Sequence, residues 1–308
     1  MNRPLNSLMG YGYAALGAAF FSTKAIFIKL AYQDQLDASL FLAYRMIFAT
    51  PVFVAIGLWA YAKRRAKGEP APGWDSIVWA SFVGFVGYYM ASAFDFAGLQ
   101  YISASLERLV LFTYPLFVMI IGALFYAEAV TAFGLAAAVV TYVGLGVVFT
   151  VDLPVGGRDT ALGTALVLGA AISFAWHQIL AKRVILRLGP MLFTSIALTS
   201  AGVFCVLHHL VFGSGDFTAT PRFLWLAAGC AIVATVLPTF LISAGLARVS
   251  SQAVSMIATV SPLVTIGLAI AILDEPFTVA DAVGAALVLL GVGLYTWGDS
   301  SSKRASAR

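Results

Sequence analysis

Charge is what this sequence contains least of. Its 308 residues include 18 lysines and arginines and 14 aspartates and glutamates, together 10% of the chain, whereas soluble domains carry about 25%. A water-soluble protein of this length needs far more charge to cover its surface. The shortage excludes a soluble enzyme, and the 61% of hydrophobic residues with a mean hydropathy of +0.94 exclude a disordered chain. The composition predicts an all-α membrane protein that crosses the bilayer several times.

Cysteines and catalytic motifs are also scarce. The two cysteines, Cys205 and Cys230, lie in apolar segments without a CxxC spacing, which excludes a disulfide scaffold and favours packing over metal binding. The sequence has no HExxH or GxSxG motif and no GxxxxGK[ST] loop for ATP. We therefore expect no enzyme and no cofactor, and any transport must be secondary or diffusive. The net charge of +4 is interpreted as a consequence of membrane topology and not as affinity for nucleic acid.

Long apolar runs are what the sequence has in abundance. A helix that crosses the hydrocarbon core needs about 20 mostly apolar residues, and strands of a membrane barrel alternate over only about 10. The runs here have helical length, and they predict ten transmembrane helices. Their approximate bounds are Met9–Leu30, Ser39–Tyr61, Ser76–Leu99, Ser105–Tyr126, Thr131–Val151, Thr160–Ala181, Met191–Phe212, Phe223–Ala247, Gln252–Leu273 and Val279–Trp297.

The distribution of basic residues predicts the orientation, because loops on the cytoplasmic side carry an excess of lysine and arginine. If both termini are cytoplasmic, three basic residues fall on the outer side, namely Lys29, Arg158 and Arg222. Twelve then fall on the cytoplasmic side: Arg3, Lys63, Arg64, Arg65, Lys67, Lys182, Arg183, Arg187, Arg248, Lys303, Arg304 and Arg308. We therefore expect both termini in the cytoplasm.

The chain contains an internal repeat. A shift of 147 residues aligns Pro115 with Pro262, Glu128 with Glu275, and Gly144 with Gly291. The repeat predicts two domains, residues 1–151 and 152–308, with five spans each. Because five is an odd number, the two halves have opposite orientations, as in secondary transporters with inverted repeats and a site near the midplane. A weaker match at an offset of 152 aligns Leu16–Ala19 with Leu168–Ala171.

These repeated residues resemble the EamA repeat of the drug/metabolite transporter superfamily, once in each half. The resemblance implies a transporter, often an exporter, of amino acids or other small metabolites in a bacterial-type inner membrane. Members of this superfamily differ in substrate, so uptake or exchange of a nucleobase, sugar, vitamin or organic cation is the alternative. The expected partners are a small-molecule substrate and the lipid bilayer, and a homodimer is permitted but not required.

Prolines and turn glutamates have structural and functional interpretations. Pro115, Pro238 and Pro262 each remove a backbone hydrogen bond inside a membrane helix and predict bends. The bends are either hinges between two access states or static features of the packing. The repeated Glu128 and Glu275 lie in turns and are predicted to cap the helix that follows each of them.

Ionisable residues inside spans are candidate functional residues. They are Lys24, Arg45, Asp95, Glu107, Arg108 and His177. Either they line a cavity and bind a zwitterion, or they neutralise one another while long side chains extend to the surface. The first interpretation is favoured for Lys24, which lies deep in its helix, and the second for Arg45 and Asp95. His177 is either a packed residue or a proton-sensitive group.

The predicted substrate site combines these charges with neighbouring aromatic and hydroxyl residues. Lys24 and Arg108 are expected to face an anion, and Asp95 or Glu107 an amine. Tyr88 and Trp176 are expected to stack on the substrate, and Ser255 and Thr259 to contact it through their hydroxyls. The predicted function is amino-acid efflux by alternating access. The full set of predicted binding residues is Lys24, Tyr88, Asp95, Glu107, Arg108, Trp176, His177, Ser255 and Thr259.

Overall fold

A computed structural model of the chain describes residues 3–126, 132–246, 248 and 261–305. Every regular element among these residues is a helix. The α-helices are α1 Arg3–Ser22, α2 Lys24–Tyr32, α3 Ala38–Ala66, α4 Trp74–Gly84, α5 Ala91–Gly98, α6 Ala104–Leu111, α7 Tyr114–Tyr126, α8 Ala132–Leu188, α9 Pro190–Phe212, α10 Pro221–Ala231, α11 Leu237–Leu246, α12 Ser261–Leu273 and α13 Val279–Ala305. Two π-helices, Phe85–Met90 and Ile232–Val236, join α4 to α5 and α10 to α11.

Seven helical segments of the described chain are long and apolar enough to cross a membrane. They are Leu8–Tyr32, Ala38–Ala66, Trp74–Gly98, Ala104–Tyr126, Gly157–Ala181, Pro190–Phe212 and Pro221–Ile242. Three shorter apolar helices are Gly134–Val147, Ser261–Leu273 and Val279–Gly291. The predicted all-helical membrane architecture is therefore confirmed for the described residues.

Two of the seven spans are interrupted within the membrane. The first is broken at Thr23, whose hydroxyl donates a 2.7 Å hydrogen bond to the Phe20 carbonyl. The fourth is broken at Phe112 and Thr113, and the Thr113 hydroxyl donates to the Val110 carbonyl at 2.7 Å. Side-chain hydroxyls thus satisfy carbonyls near each break, as lipid offers no water to do so.

The three prolines differ in their surroundings. Pro115 is the second residue of α7, where a fixed φ and a missing backbone N–H fit better than in a helix interior. Pro238 follows the π-helix Ile232–Val236 within one continuous helix, and Pro262 is the second described residue of α12. At Pro115 the proline fits the break that separates α6 from α7, which is where the sequence predicts a bend.

Residues 132–188 form one hydrogen-bonded stretch, but the backbone turns inside it. Gly157 has φ 55° and ψ −126°, which lies outside the helical region and which residues with a Cβ rarely adopt. The turn divides the stretch into the shorter helix Gly134–Val147 and the span Gly157–Ala181.

The loops form contacts at two opposite ends of the helix bundle. At one, called the Asp34 end, Arg222 Nη1 lies 3.8 Å from Asp34 Oδ1, and Gln35 donates to the Thr218 carbonyl at 3.4 Å. At the other, called the Asp75 end, Arg187 Nη1 lies 3.3 Å from Asp75 Oδ2. Each end joins a loop of the first half to one of the second half.

Glycines allow α8 and α13 to pack closely. A Cβ on Gly144 would meet the Gly284 carbonyl, the Val288 nitrogen and the Leu287 side chain of α13. Contacts between small residues are typical of helix association in lipid, where burial of apolar surface supplies little driving force.

We predict that Gly144→Ala destabilises the protein by about 1–3 kcal/mol, because the added methyl group would overpack a backbone contact. The matched control is Gly146→Ala on the same helix, where an added Cβ has no neighbour within 4 Å. Thermal unfolding of the purified protein in detergent measures both variants. Equal midpoints for the two would contradict the close packing of α8 on α13.

Candidate functional site

Four charged side chains meet in the interior of the bundle. Lys24 begins α2, Asp95 lies in α5, and Glu107 and Arg108 lie in α6; their exposed fractions are 6%, 2%, 0% and 3%. The Lys24 ammonium forms a hydrogen-bonded ion pair with Asp95 Oδ2 and lies 3.8 Å from Glu107 Oε1. Arg108 Nε lies 3.8 Å from Glu107 Oε2. Two cations and two carboxylates therefore form one neutral group, which we call the charge cluster.

The sequence offers two interpretations of these charges, a binding cavity and mutual neutralisation, and the structure agrees with part of each. The charges do neutralise one another, but Lys24 is the central member and Arg45 belongs to no ion pair among the described residues. All four members are buried, and none extends to the surface. Arg108 Nη2 is buried without a hydrogen-bond partner, and the carboxyl groups of Asp95 and Glu107 lie close enough to share a hydrogen bond.

The start of α6 is held by two caps. Ser103 Oγ accepts a hydrogen bond from the Leu106 nitrogen at 3.0 Å. Glu275 Oε1 accepts one from the Ala104 nitrogen at 2.7 Å, and its Oε2 accepts from the Ser105 hydroxyl at 2.9 Å. A carboxylate at a helix N-terminus is stabilised by the free N–H groups and the helix dipole, so these contacts fix the first turn that carries Glu107.

The prediction that Glu275 caps the helix following it is wrong. The following helix, α13, has its own capping box, in which Thr278 Oγ1 accepts from the Asp281 nitrogen and Asp281 Oδ2 accepts from the Thr278 nitrogen. Glu275 is left to bind the more distant α6. Its repeat partner Glu128 lies outside the described residues.

Aromatic rings accompany the cations of the site. The Phe21 ring centroid lies 5.7 Å from Lys24 Nζ and 5.8 Å from Arg108 Cζ. Such contacts with the π-face stabilise a buried cation without neutralising it. Phe21 is therefore part of the surroundings of both cations, although the sequence interpretation did not include it.

Tyr88 and His177 form a second group. Their ring centroids are 4.7 Å apart in an edge-to-face arrangement, and His177 Nδ1 donates to the Val83 carbonyl at 3.1 Å. The seven-residue spacing of Tyr88 and Asp95 predicts a shared helix face, yet Asp95 contacts α2 and Tyr88 contacts the span Gly157–Ala181. The π-helix Phe85–Met90 is the reason, because its wider turn shifts the angular register between the two residues.

Trp176 lies apart from the charge cluster. Its ring contacts Phe125 with centroids 5.0 Å apart. It also lines an apolar groove of about 580 Å³ between the span Trp74–Gly98 and the span Gly157–Ala181. Tyr88 and Trp176, which are both predicted to stack on the substrate, therefore have different neighbours. Ser255 and Thr259 lie outside the described residues.

Buried hydroxyls link the two halves near the charge cluster. Ser22 Oγ and Ser261 Oγ are 2.7 Å apart, and Thr265 Oγ1 donates to the Ser22 carbonyl at 3.0 Å. All three side chains are buried. Sequence reasoning missed them because serine and threonine are unremarkable in membrane helices. The available signal was their position, since Ser22 lies two residues before Lys24 and Ser261 precedes a repeated proline.

Comparison with known proteins agrees with the architecture. The EamA-like transporter family matches residues 8–150 and 161–297. An uncharacterized transporter of Bacillus subtilis, YcbK, is 26% identical over 284 residues, which cover 88% of each chain. An uncharacterized transporter of Archaeoglobus fulgidus is 24% identical over 288 residues, covering 92% of this chain and 95% of the other. A crystal structure 18% identical in sequence superposes with a TM-score of 0.61 and covers 96% of this chain and 98% of its own, which shows a shared fold.

We predict that Lys24→Met is strongly destabilising, by about 3–5 kcal/mol, because it leaves two buried carboxylates without their shared cation. The double variant Lys24→Met/Asp95→Asn should recover much of the loss, since one carboxylate then pairs with Arg108 and the other is neutral. Thermal unfolding of the two single variants and the double variant gives the coupling energy.

The control is Arg222→Gln, which removes the exposed ion pair with Asp34 and should cost at most about 1 kcal/mol. Additive effects of Lys24→Met and Asp95→Asn would contradict the buried pair.

Proposed function

Because the chain belongs to the EamA-like transporter family, we propose that it is a secondary transporter that exports amino acids across the inner membrane by alternating access. The observation that carries the substrate class is the charge cluster, in which two cations and two carboxylates are buried side by side. A zwitterion matches this set, since its carboxylate pairs with the cations and its ammonium with the carboxylates.

Binding in this scheme is an exchange of ion pairs. In the free protein, Lys24 and Arg108 satisfy Asp95 and Glu107. In the complex, Lys24 and Arg108 face the substrate carboxylate, and Asp95 or Glu107 accepts the ammonium. Because the substrate adds one charge of each sign, the site stays neutral, and the exchange avoids the penalty of leaving an isolated charge in the interior. Such a balance favours the moderate affinity that a transporter needs for release.

Aromatic and hydroxyl residues complete the proposed site. Tyr88, in contact with His177, supplies a flat surface for the substrate side chain. Trp176 would act from the groove side after a change in packing. Ser255 and Thr259 are proposed to donate hydroxyls from the second half.

The inverted repeat is supported by contacts that recur at its sequence offset. A Cβ on Gly291 would meet the Ala137 carbonyl and Thr141. A Cβ on Gly144 would meet Gly284 and Val288, which stand 147 residues after Ala137 and Thr141. Such reciprocal contact is expected of two elements related by a pseudo-two-fold axis.

The π-helices support the same symmetry. Phe85–Met90 and Ile232–Val236 begin 147 residues apart, and Pro115 in α7 stands 147 residues before Pro262 in α12. We therefore propose ten crossing helices, with the three shorter apolar helices included, and two repeat domains at residues 1–151 and 152–308. Pro115, Pro238 and Pro262 serve as hinges between the access states in this proposal.

We predict that fusing a reporter that is active only in the cytoplasm to either terminus gives an active fusion. The basis is the excess of basic residues on that side. The same reporter inserted at Asp216, at the Asp34 end, should be inactive. An active insertion at Asp216 together with inactive terminal fusions would reverse the proposed orientation.

We predict that proteoliposomes containing the protein accumulate labelled amino acids in a counterflow assay, with nucleobases, sugars, vitamins and organic cations as the comparison panel. Assays with and without a pH gradient identify proton coupling. Arg108→Gln should reduce counterflow by tenfold or more, because the substrate carboxylate loses a charged partner. Arg158→Gln, an exposed arginine, is the control and should retain activity. Accumulation of another class with no amino acid transported would overturn the proposed substrate.

A further inference from the structure

Arg45 is a buried cation outside the charge cluster. It lies in the span Ala38–Ala66, and 5% of the residue is exposed. Among the described residues no carboxylate lies within 4.0 Å of its guanidinium, whereas every cation of the charge cluster has such a neighbour. Arginine remains protonated in proteins and has five N–H donors. A buried guanidinium without an anion is energetically unfavourable, so this residue calls for a functional explanation.

The known contacts of Arg45 leave donors free. Its Nη2 donates to Ser92 Oγ at 3.1 Å, and its Cζ lies 4.7 Å above the Phe96 ring. Its Nε is buried without a hydrogen-bond partner. The hydroxyl and the ring hold the planar group in one orientation without neutralising it, which is the arrangement expected of a preorganised anion site.

The charges around Arg45 add to the case. Ser92 and Phe96, its two contacts, flank Asp95 on α5, so the guanidinium lies beside the neutral charge cluster. Among the described residues, the buried thiols of Cys205 and Cys230 also lie near the guanidinium. Thiols do not supply the missing negative charge as carboxylates do. The five buried charges of the first half therefore sum to +1.

A cavity leads towards this arginine from the Asp34 end. It has a volume of about 240 Å³ and lies between the span Ala38–Ala66 and the span Trp74–Gly98. Leu42, which lines it, is three residues before Arg45 and so lies on nearly the same helix face one turn away. The polar residues at its wall are Asp37, Ser39, Gln100 and His208. Arg45 does not itself line the cavity, and its place on the helix is one turn beyond Leu42 at the wall.

We propose that Arg45 is the anchor for the carboxylate of the transported substrate, with the cavity at the Asp34 end as its access route. This proposal rests on the proposed function and adds Arg45 as the first contact of the substrate carboxylate, next to Lys24 and Arg108, while the carboxylates of the charge cluster receive the ammonium. The buried carboxyl group of Asp95, between Ser92 and Phe96 on α5, is the proposed acceptor for the ammonium. The substrate is then a small molecule with one carboxylate and one amine, and an amine without a carboxylate is a poor substrate.

The first experiment compares amino acids with their decarboxylated amines as competitors in the counterflow assay. The pairs are L-phenylalanine with phenethylamine, L-leucine with 3-methylbutylamine, and L-serine with ethanolamine. The protein should prefer the acid, and Arg45→Gln should reduce that preference at least tenfold, as expected for loss of a charge-assisted hydrogen bond. Arg45→Lys should retain part of it, because charge remains but the planar fork is lost. Arg158→Gln is the control, and an unchanged preference in Arg45→Gln would overturn the proposal.

The second experiment does not depend on which substrate is transported. Propionate is added to the purified protein in detergent, with chloride at equal ionic strength as the reference, and thermal unfolding is recorded. Propionate should raise the midpoint of the unmodified protein and of Arg158→Gln, but not that of Arg45→Gln. If no amino acid is transported yet propionate stabilises through Arg45, the proposed substrate is wrong and the anion site stands. Equal effects of propionate and chloride on the unmodified protein would overturn the anion site. An Arg45→Gln protein that does not fold leaves Arg45→Lys to decide, through a reduced propionate effect.

Discussion

The ammonium of Lys24 is the contact on which the interior of this protein depends, because it lies between two carboxylates that are excluded from water. Asp95 and Glu107 come from different spans, and each needs a cation to remain buried. Lys24 lies between the two carboxylates as the first residue of α2, directly after the turn at Thr23. The caps on α6 place Glu107 within reach. The turn at Thr23, the caps on α6 and the packing of the first, third and fourth spans therefore all contribute to one electrostatic arrangement.

Among the described residues, the ion pairs between the two halves are exposed ones at the two ends of the bundle, and the buried ion pairs lie within the first half. All four members of the charge cluster belong to the first half, so a movement between the halves leaves their ion pairs intact. The described contacts across the halves include the hydroxyl pair Ser22–Ser261 and the cap formed by Glu275. Hydrogen bonds between hydroxyls in membranes contribute about 1 kcal/mol or less. Under the proposed alternating access, the halves separate at weak contacts while the charges that would be costly to separate stay together.

The sequence predicts the helical class, the places of the apolar segments and the interruption at Pro115, because each depends on local composition or on one residue type. It also identifies the four members of the charge cluster as candidates, since ionisable residues in a long apolar run are few. It does not predict which residues pair. The partner of Lys24 is set by the break at Thr23, and the direction of Tyr88 is set by a π-helix, for which the sequence shows no simple pattern. The cap by Glu275 depends on a tertiary contact 171 residues away in the chain.

The duplicated sequence separates the mechanical parts of the protein from its specific ones. A proline, close-packed glycines, the turn glutamates and the π-helices recur at the offset of 147 residues, whereas the members of the charge cluster do not. At that offset Asp95 corresponds to Ile242, Glu107 to Val254 and Arg108 to Ser255. Each buried charge in the first half carries an energetic penalty that the second half avoids, so a purely structural role would leave this asymmetry without a cause. A bound substrate with its own charges supplies one, because it is asymmetric and needs its ionic partners only once. Under the proposed function, the shared framework accounts for movement, and the charges of the first half account for what is moved.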